Sequence, residues 1–219
     1  MKTTPFWISA VSLLGASVGQ LAQYLISPIN PGDPAATSVT AAAAHPALMR
    51  AALVLDLPIL LIVPAVIFLG LAAGYGTSRL AGVGTLLTVA TVLGGGYLLA
   101  GDVVVWAAAQ HPGGAAVAEA YFNSGVISGI AVFYLAGHVV GFLLLGIAAW
   151  RNQTLPRWAA VSLIAWPLLE MGGTAAGLKA VGGLGDALLV VACVAALRAL
   201  APAASGLPGI VRSPESARR

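Results

Sequence analysis

The chain has 219 residues, of which 59% are hydrophobic and 8% charged, with a formal net charge of +3. With a mean hydropathy of +0.96, that balance excludes an ordinary soluble domain and points to a polytopic membrane protein. The basic residues are scattered one or two to a connection with no patch, which argues against a nucleic-acid partner, and the single Cys193 excludes an intrachain disulfide or a cysteine metal cluster.

The first apolar stretch, Phe6 to Ile26, follows Lys2 and carries Gln20 and Gln23 near its end. It outruns the roughly 7–15-residue apolar region of a secretory signal, so it is expected to be retained as a helix. The connection after it, Ser27 to Leu48, opens with Pro28, Pro31 and Pro34, and its Ala-rich part, Ala35 to Ala44, predicts a short interfacial helix. His45-Pro46 then marks the start of a second span, with proline in the first helical turn.

Apolar stretches of about 20 residues, separated by polar, Pro-rich or Gly-rich breaks, predict an all-α bundle of six spans. These are Phe6–Ile26, Met49–Ala73, Leu80–Ala108, Gly125–Trp150, Trp158–Leu178 and Leu184–Leu200, together a domain over residues 1–201. Pro58, Pro64 and Pro167 interrupt the second and fifth spans and are expected to kink them. The run Gly94-Gly95-Gly96 lies mid-span without the strand and helix of a phosphate loop, so it reads as a packing or flexible point. A second long connection, Gln110 to Ser124, holds His111-Pro112-Gly113-Gly114. The tail from Pro202 to Arg219 has little apolar periodicity and is expected to be disordered.

Basic residues set the orientation. Lys2, Arg79, Arg151, Arg157, Arg198, Arg212, Arg218 and Arg219 fall on one side of such a bundle, and only Arg50 and Lys179 on the other. The positive-inside rule then places both termini in the cytoplasm and the two long connections outside. The abundance of Ala, Gly and Val fits GC-rich coding, and with it a bacterial cell membrane.

Four of the seven acidic residues, Asp56, Asp102, Glu170 and Asp186, lie within or at the edge of these spans. A central Asp costs about 2.5–3.5 kcal/mol on insertion scales, so such residues usually face a bundle interior or a wet cavity. At 1.5 Å rise per residue, Asp56 and Asp102 lie roughly 10 Å, and Glu170 roughly 12 Å, below the outer ends of their spans. Asp186, following Gly185 near the start of the sixth span, reads as an interfacial helix N-cap. His138 sits near mid-span in the fourth. On helical phase, Asp56 shares a face with Leu60 and Val63, His138 with Tyr134 and Gly141, and Glu170 with Trp166 and Gly173.

Together these predict an externally open pocket of Asp56, Asp102, His138 and Glu170, with Gln20 and Gln23 at its rim, able to relay protons, bind a cation or hold a polar group of a small molecule. The competing reading makes each a satisfied interhelical hydrogen-bond partner. Only one histidine lies inside a span and no HExxH or HxxxH pair exists, which disfavours a metal hydrolase, and the lone pair of outer histidines, His45 and His111, disfavours haem. No GxSxG elbow supports a serine hydrolase. No catalytic residue, metal or cofactor is therefore assigned. Binding or transport of a small molecule or ion is the leading expectation; a structural or accessory subunit, or an intramembrane enzyme acting on a lipid-like substrate, are the alternatives.

Small-xxx-small pairs recur at Gly15/Gly19, Gly70/Gly74, Gly125/Gly129, Gly137/Gly141 and Gly173/Gly177. They allow close helix packing within the chain or, at one face, a homodimer. Finally, His45-Pro46-Ala47-Leu48-Met49-Arg50 running into Leu55-Asp56-Leu57 resembles the start of the second span in uncharacterised bacterial multi-pass membrane proteins of unknown function. The resemblance covers the first two spans, and the rest of the chain only in hydropathy. It implies the membrane class and no catalytic residues.

Overall fold

A computed structural model describes residues 6–94 and 96–201, without the side chains of 93–99. Gly95 of the glycine run, the tail 202–219, and the orientation residues Lys2, Arg212, Arg218 and Arg219 lie outside the described residues. Every regular element among those described is helical: α1 (Phe6–Ile26), α2 (Ala35–Ala44), α3 (Pro46–Asp56), a 3-10 stretch (Leu57–Leu61), α4 (Ile62–Ala72), α5 (Arg79–Gly94), α6 (Gly96–Ala108), α7 (Gly114–Phe122), α8 (Gly125–Asn152), α9 (Arg157–Ala175) and α10 (Lys179–Leu200). Four helical stretches are long and apolar enough to cross a membrane: α1, Pro46–Ala72, α8 and α10. Large apolar side chains stand exposed along their outward faces, Val18, Val54, Leu60, Val132 and Val191 among them. In water such a surface is a liability; against lipid it is the expected one.

The helices pack in a ring, α1 against α3–α4, α4 against α5, α5 against α8, α8 against α9, α9 against α10, and α10 back against α1. Its interior is filled by small and medium apolar residues with Phe142 and Trp166 as the large pieces. One end is tied by Asn152, whose side-chain amide donates to the Ala73 carbonyl at 3.2 Å. The other end is tied by Lys179, whose ammonium donates to the Ser27 carbonyl at 2.5 Å. There the two long connections meet, because the Ala-rich run is helix α2, as its composition predicts, and it packs on α7. Helix α7 was not legible as helix behind His111-Pro112-Gly113-Gly114; Gly113 takes the left-handed conformation (φ 77°) that turns the chain into it.

Glycine decides how close the helices come. A Cβ at Gly84 would stand 3.0 Å from the Gly141 carbonyl, and one at Gly137 or Gly141 would collide with Thr91 or Thr88 of α5. The pairs Gly15/Gly19, Gly70/Gly74 and Gly137/Gly141, with Gly173, are all occupied by neighbours in the chain; around Gly125 and Gly129 no neighbour lies within 4 Å among the described residues.

Two sequence expectations need correction. The sixth span was expected to start at Leu184, behind a glycine-rich connection, but α10 begins at Lys179. The chain turns instead at Gly177 (φ 66°), where Leu178 N–H bonds the Gly173 carbonyl at 2.7 Å and Gly177 N–H bonds that of Thr174 at 3.1 Å, a Schellman end to α9. Gly182 and Gly185 are therefore helical glycines serving close approach: a Cβ at Gly182 would strike the Tyr24 hydroxyl, and one at Gly185 would stand 3.0 Å from the Trp166 carbonyl. The second correction concerns Leu60, expected on the face of Asp56. It is 66% exposed while Asp56 is 3% exposed. Pro58 tightens the chain into a 3-10 stretch, where about 120° per residue replaces 100° and swings Leu60 outward. Pro167, by contrast, stays inside a continuous α9.

Candidate functional site

The polar residues of the spans collect into two groups on either side of α1. The first lies where α1, α8, α9 and α10 meet. Gln20 donates its amide to Asp186 Oδ1 at 3.0 Å and, at 3.5 Å, to Glu170 Oε1. Trp166 Nε1 donates to the same Asp186 oxygen at 3.1 Å. His138 Nε2 stands 3.5 Å from Glu170 Oε2. The imidazole is fully buried and boxed by rings, with Trp166, Phe142 and Tyr134 centred 4.8, 5.0 and 5.1 Å away. Local sequence explains the convergence. Trp166 and Glu170 are four apart on α9 and share a face, as do Tyr134, His138 and Phe142 on α8. The glycines of α10 let α9 approach until the Trp166 indole reaches Asp186.

The second group lies between α1, α3 and α6. Gln23, three residues beyond Gln20, donates its amide to Asp102 Oδ2 at 3.2 Å. Asp56, at the last turn of α3, is buried within electrostatic reach of Asp102. Thus the six residues expected to form one pocket are divided: Glu170, His138 and Gln20 in one group, Asp56, Asp102 and Gln23 in the other. Both glutamines, placed at a rim by the sequence, are donors that bind carboxylates directly.

Asp186 is the main correction. It is not an interfacial N-cap: α10 is capped at Leu178, and Asp186 lies in its third turn, fully buried. Its cause is the early start of α10. Two further members, Trp166 as a donor and Tyr24 as a buried hydroxyl over Gly182, were missed. The i, i+4 spacing of Gln20 and Tyr24 on one face of α1 was the available signal.

Asp56, His138 and Asp186 are buried, and Gln20, Gln23, Asp102 and Glu170 are half-buried. The cavity beneath Gln20, lined by Ser17, Trp166 and Cys193 among apolar neighbours, measures about 10 Å³, room for about one water. What sets the region apart is its unpaired polarity. Asp56 Oδ2, both ring nitrogens of His138, Glu170 Oε2 and Asp186 Oδ2 are buried without a hydrogen-bond partner among the described residues. Buried polar atoms of native proteins are nearly always paired, each orphan costing about 1–3 kcal/mol. Among the described residues no three His, Cys, Asp or Glu side chains converge as a metal site would require. The chain was compared with family models, curated proteins and solved structures, and none of them matches it.

Proposed function

We propose that the chain is an integral membrane protein of six spans that binds or moves a small ion or small polar molecule in the outer half of the bilayer, with Glu170 and His138 exchanging a proton as it does so. The spans are α1, α3–α4, α5–α6, α8, α9 and α10. Both termini are cytoplasmic in this reading and the bilayer is a bacterial cell membrane. The contact of Asn152 with Ala73 groups Arg151 and Arg157 with Arg79 at one end, which supports that orientation.

One observation carries the proton: His138 Nε2 and Glu170 Oε2 face each other at 3.5 Å, and among the described residues neither has another partner and the site holds a second carboxylate and no Lys or Arg. In a low-dielectric bundle two such carboxylates, with no Lys or Arg beside them among the described residues, are costly to keep charged, and a proton shared with the His138 imidazole or a bound cation offsets that cost. An imidazole beside a carboxylate is the pair suited to passing that proton on.

The test is infrared difference spectroscopy of the protein in lipid vesicles, between acid and alkaline buffer. A pH-dependent carboxyl or imidazole band should be present, should change in Glu170→Gln and in His138→Gln, and should survive Asp33→Asn in the outer connection. A wild-type spectrum without that band, or a band untouched by Glu170→Gln, overturns the reading and leaves the accessory-subunit alternative.

A further inference from the structure

Away from both polar groups, toward the end of the bundle tied by Asn152, a groove runs between α8 and α9. Ile147, Trp150, Val161 and Ile164 line it, and its volume is about 330 Å³, within the range of about 300–1,000 Å³ usual for ligand pockets. The helices are close beside it, since a Cβ at Gly146 would stand 3.0 Å from the Ala160 carbonyl. Ile147, Trp150 and Val161 are exposed, so the groove opens outward from the bundle. Its upper rim is charged. Arg157 begins α9 and holds its guanidinium 5.6 Å from the centre of the Trp150 ring. Arg151 lies four residues beyond Ile147 on α8, and Val161 and Ile164 lie four and seven beyond Arg157 on α9, so each apolar wall ends in an arginine. Among the described residues Arg79, Arg151, Arg157 and Arg198 make no ion pair. The described carboxylates lie elsewhere, in the two polar groups, before α2 (Asp33) and in α7 (Glu119). An arginine stacked on an indole still presents the N–H edge of its fork, which matches the oxygens of a phosphate.

We infer that this groove holds one anionic phospholipid of the adjoining leaflet, with its phosphate on Arg157 and an acyl chain along Ile147, Val161 and Ile164. From Arg157 to Ile164 the helix rises about 10 Å, within the roughly 15 Å that one leaflet gives to the hydrocarbon core. A chain descending from a phosphate at Arg157 therefore passes the apolar walls in order. Trp150, at the mouth, is the indole expected at headgroup level. A free phosphate would meet the arginine but leave the walls bare. A zwitterionic lipid would bring a cation of its own beside Arg157 and Arg151. The site rests on the membrane-bundle reading but not on the proton pair, which uses other residues.

The experiment is native mass spectrometry of the full chain released from nanodiscs made of equal parts phosphatidylglycerol and phosphatidylcholine. On the wild type, one phosphatidylglycerol should stay bound in preference to phosphatidylcholine, and excess inorganic phosphate should not displace it. In Arg157→Ala the retained fraction should fall about fivefold, the worth of one basic side chain at an anionic membrane surface. Val161→Trp, which fills the groove and keeps every charge, should lose the lipid as well. Arg198→Ala, which removes the same charge from α10, and Glu170→Gln should both leave it in place. Equal retention of the two lipids by the wild type overturns the site, as does retention that survives Arg157→Ala or Val161→Trp. An equal fall in Arg198→Ala would mean diffuse attraction to the whole basic end, and displacement by inorganic phosphate would mean a free-anion site; either overturns it. A loss confined to Glu170→Gln does so too, by placing the lipid at the other group. Because Glu170→Gln is expected to leave the lipid bound, a failed infrared test leaves this site standing, and failure here leaves the proton pair standing.

Discussion

The two polar groups flanking α1 are built from the same residue types and differ in what surrounds them. Around Asp186, the Gln20 amide and the Trp166 indole converge on one carboxylate oxygen, and three aromatic rings wall the neighbouring imidazole. Around Asp56 and Asp102 one side-chain hydrogen bond, from the Gln23 amide, is made among the described residues, and the same helices α3 and α6 give Met49 and Val105 to the small cluster with Ala42 rather than to the main core. A braced carboxylate is held in place by packing and direct bonds, while an unbraced one keeps its oxygens available. The two groups therefore differ in how firmly the fold holds their carboxylates.

Replacing the indoles tests this contrast most forcefully. Trp166 is fully buried within the main core. Trp166→Ala removes that packing and the Asp186 bond together and should cost about 3–5 kcal/mol. Trp106, beside the second group, is only half-buried and carries Arg50 5.7 Å above its ring; its replacement by Ala should cost much less. Denaturation in mild detergent, followed by intrinsic fluorescence, measures both. Similar losses would mean that the two groups are equally braced.

The glutamines come next. Gln20→Leu leaves Glu170 Oε1 without its donor and Asp186 Oδ1 with Trp166 alone, a loss of about 1–3 kcal/mol. Gln23→Leu removes one bond to a half-buried Asp102 and should cost about 0.5–1.5 kcal/mol. A larger loss at Gln23 than at Gln20 would reverse the assignment of braced and unbraced.

How much of this was legible in the sequence follows from what periodicity can carry. Hydropathy found α1, α8 and the proline-marked start of α3, because a long apolar run has few other ways to fold. Phase on α8 and α9 placed Tyr134 with His138 and Trp166 with Glu170, since both helices are regular there. Phase failed after Asp56, where Pro58 changes the residues per turn. Composition misread Val181-Gly182-Gly183 as a connection, since glycine breaks a helix in water but serves close packing where helices press together. From that one misreading Asp186 lost its place in the core. Which carboxylates pair is a tertiary matter, and no spacing within a single helix encodes it.

The same division, satisfied within the chain or left open, runs along α8 and supplies the smallest expected effect on stability. At Gly141 a side chain meets Thr88 of α5, whereas at Gly129 it meets no described neighbour. Gly141→Ile should therefore cost about 1–3 kcal/mol by overpacking, and Gly129→Ile should stay within about 0.5 kcal/mol of wild type. If a second copy of the chain uses the open Gly125/Gly129 face, Gly129→Ile should nonetheless weaken self-association, because a small-xxx-small contact depends on backbone approach. Energy transfer between labelled copies in vesicles, read beside the detergent unfolding curve, separates the two effects. A stable Gly129→Ile variant with unchanged transfer would leave the face to lipid, and the two glycine pairs would then differ only in which of them the fold needs.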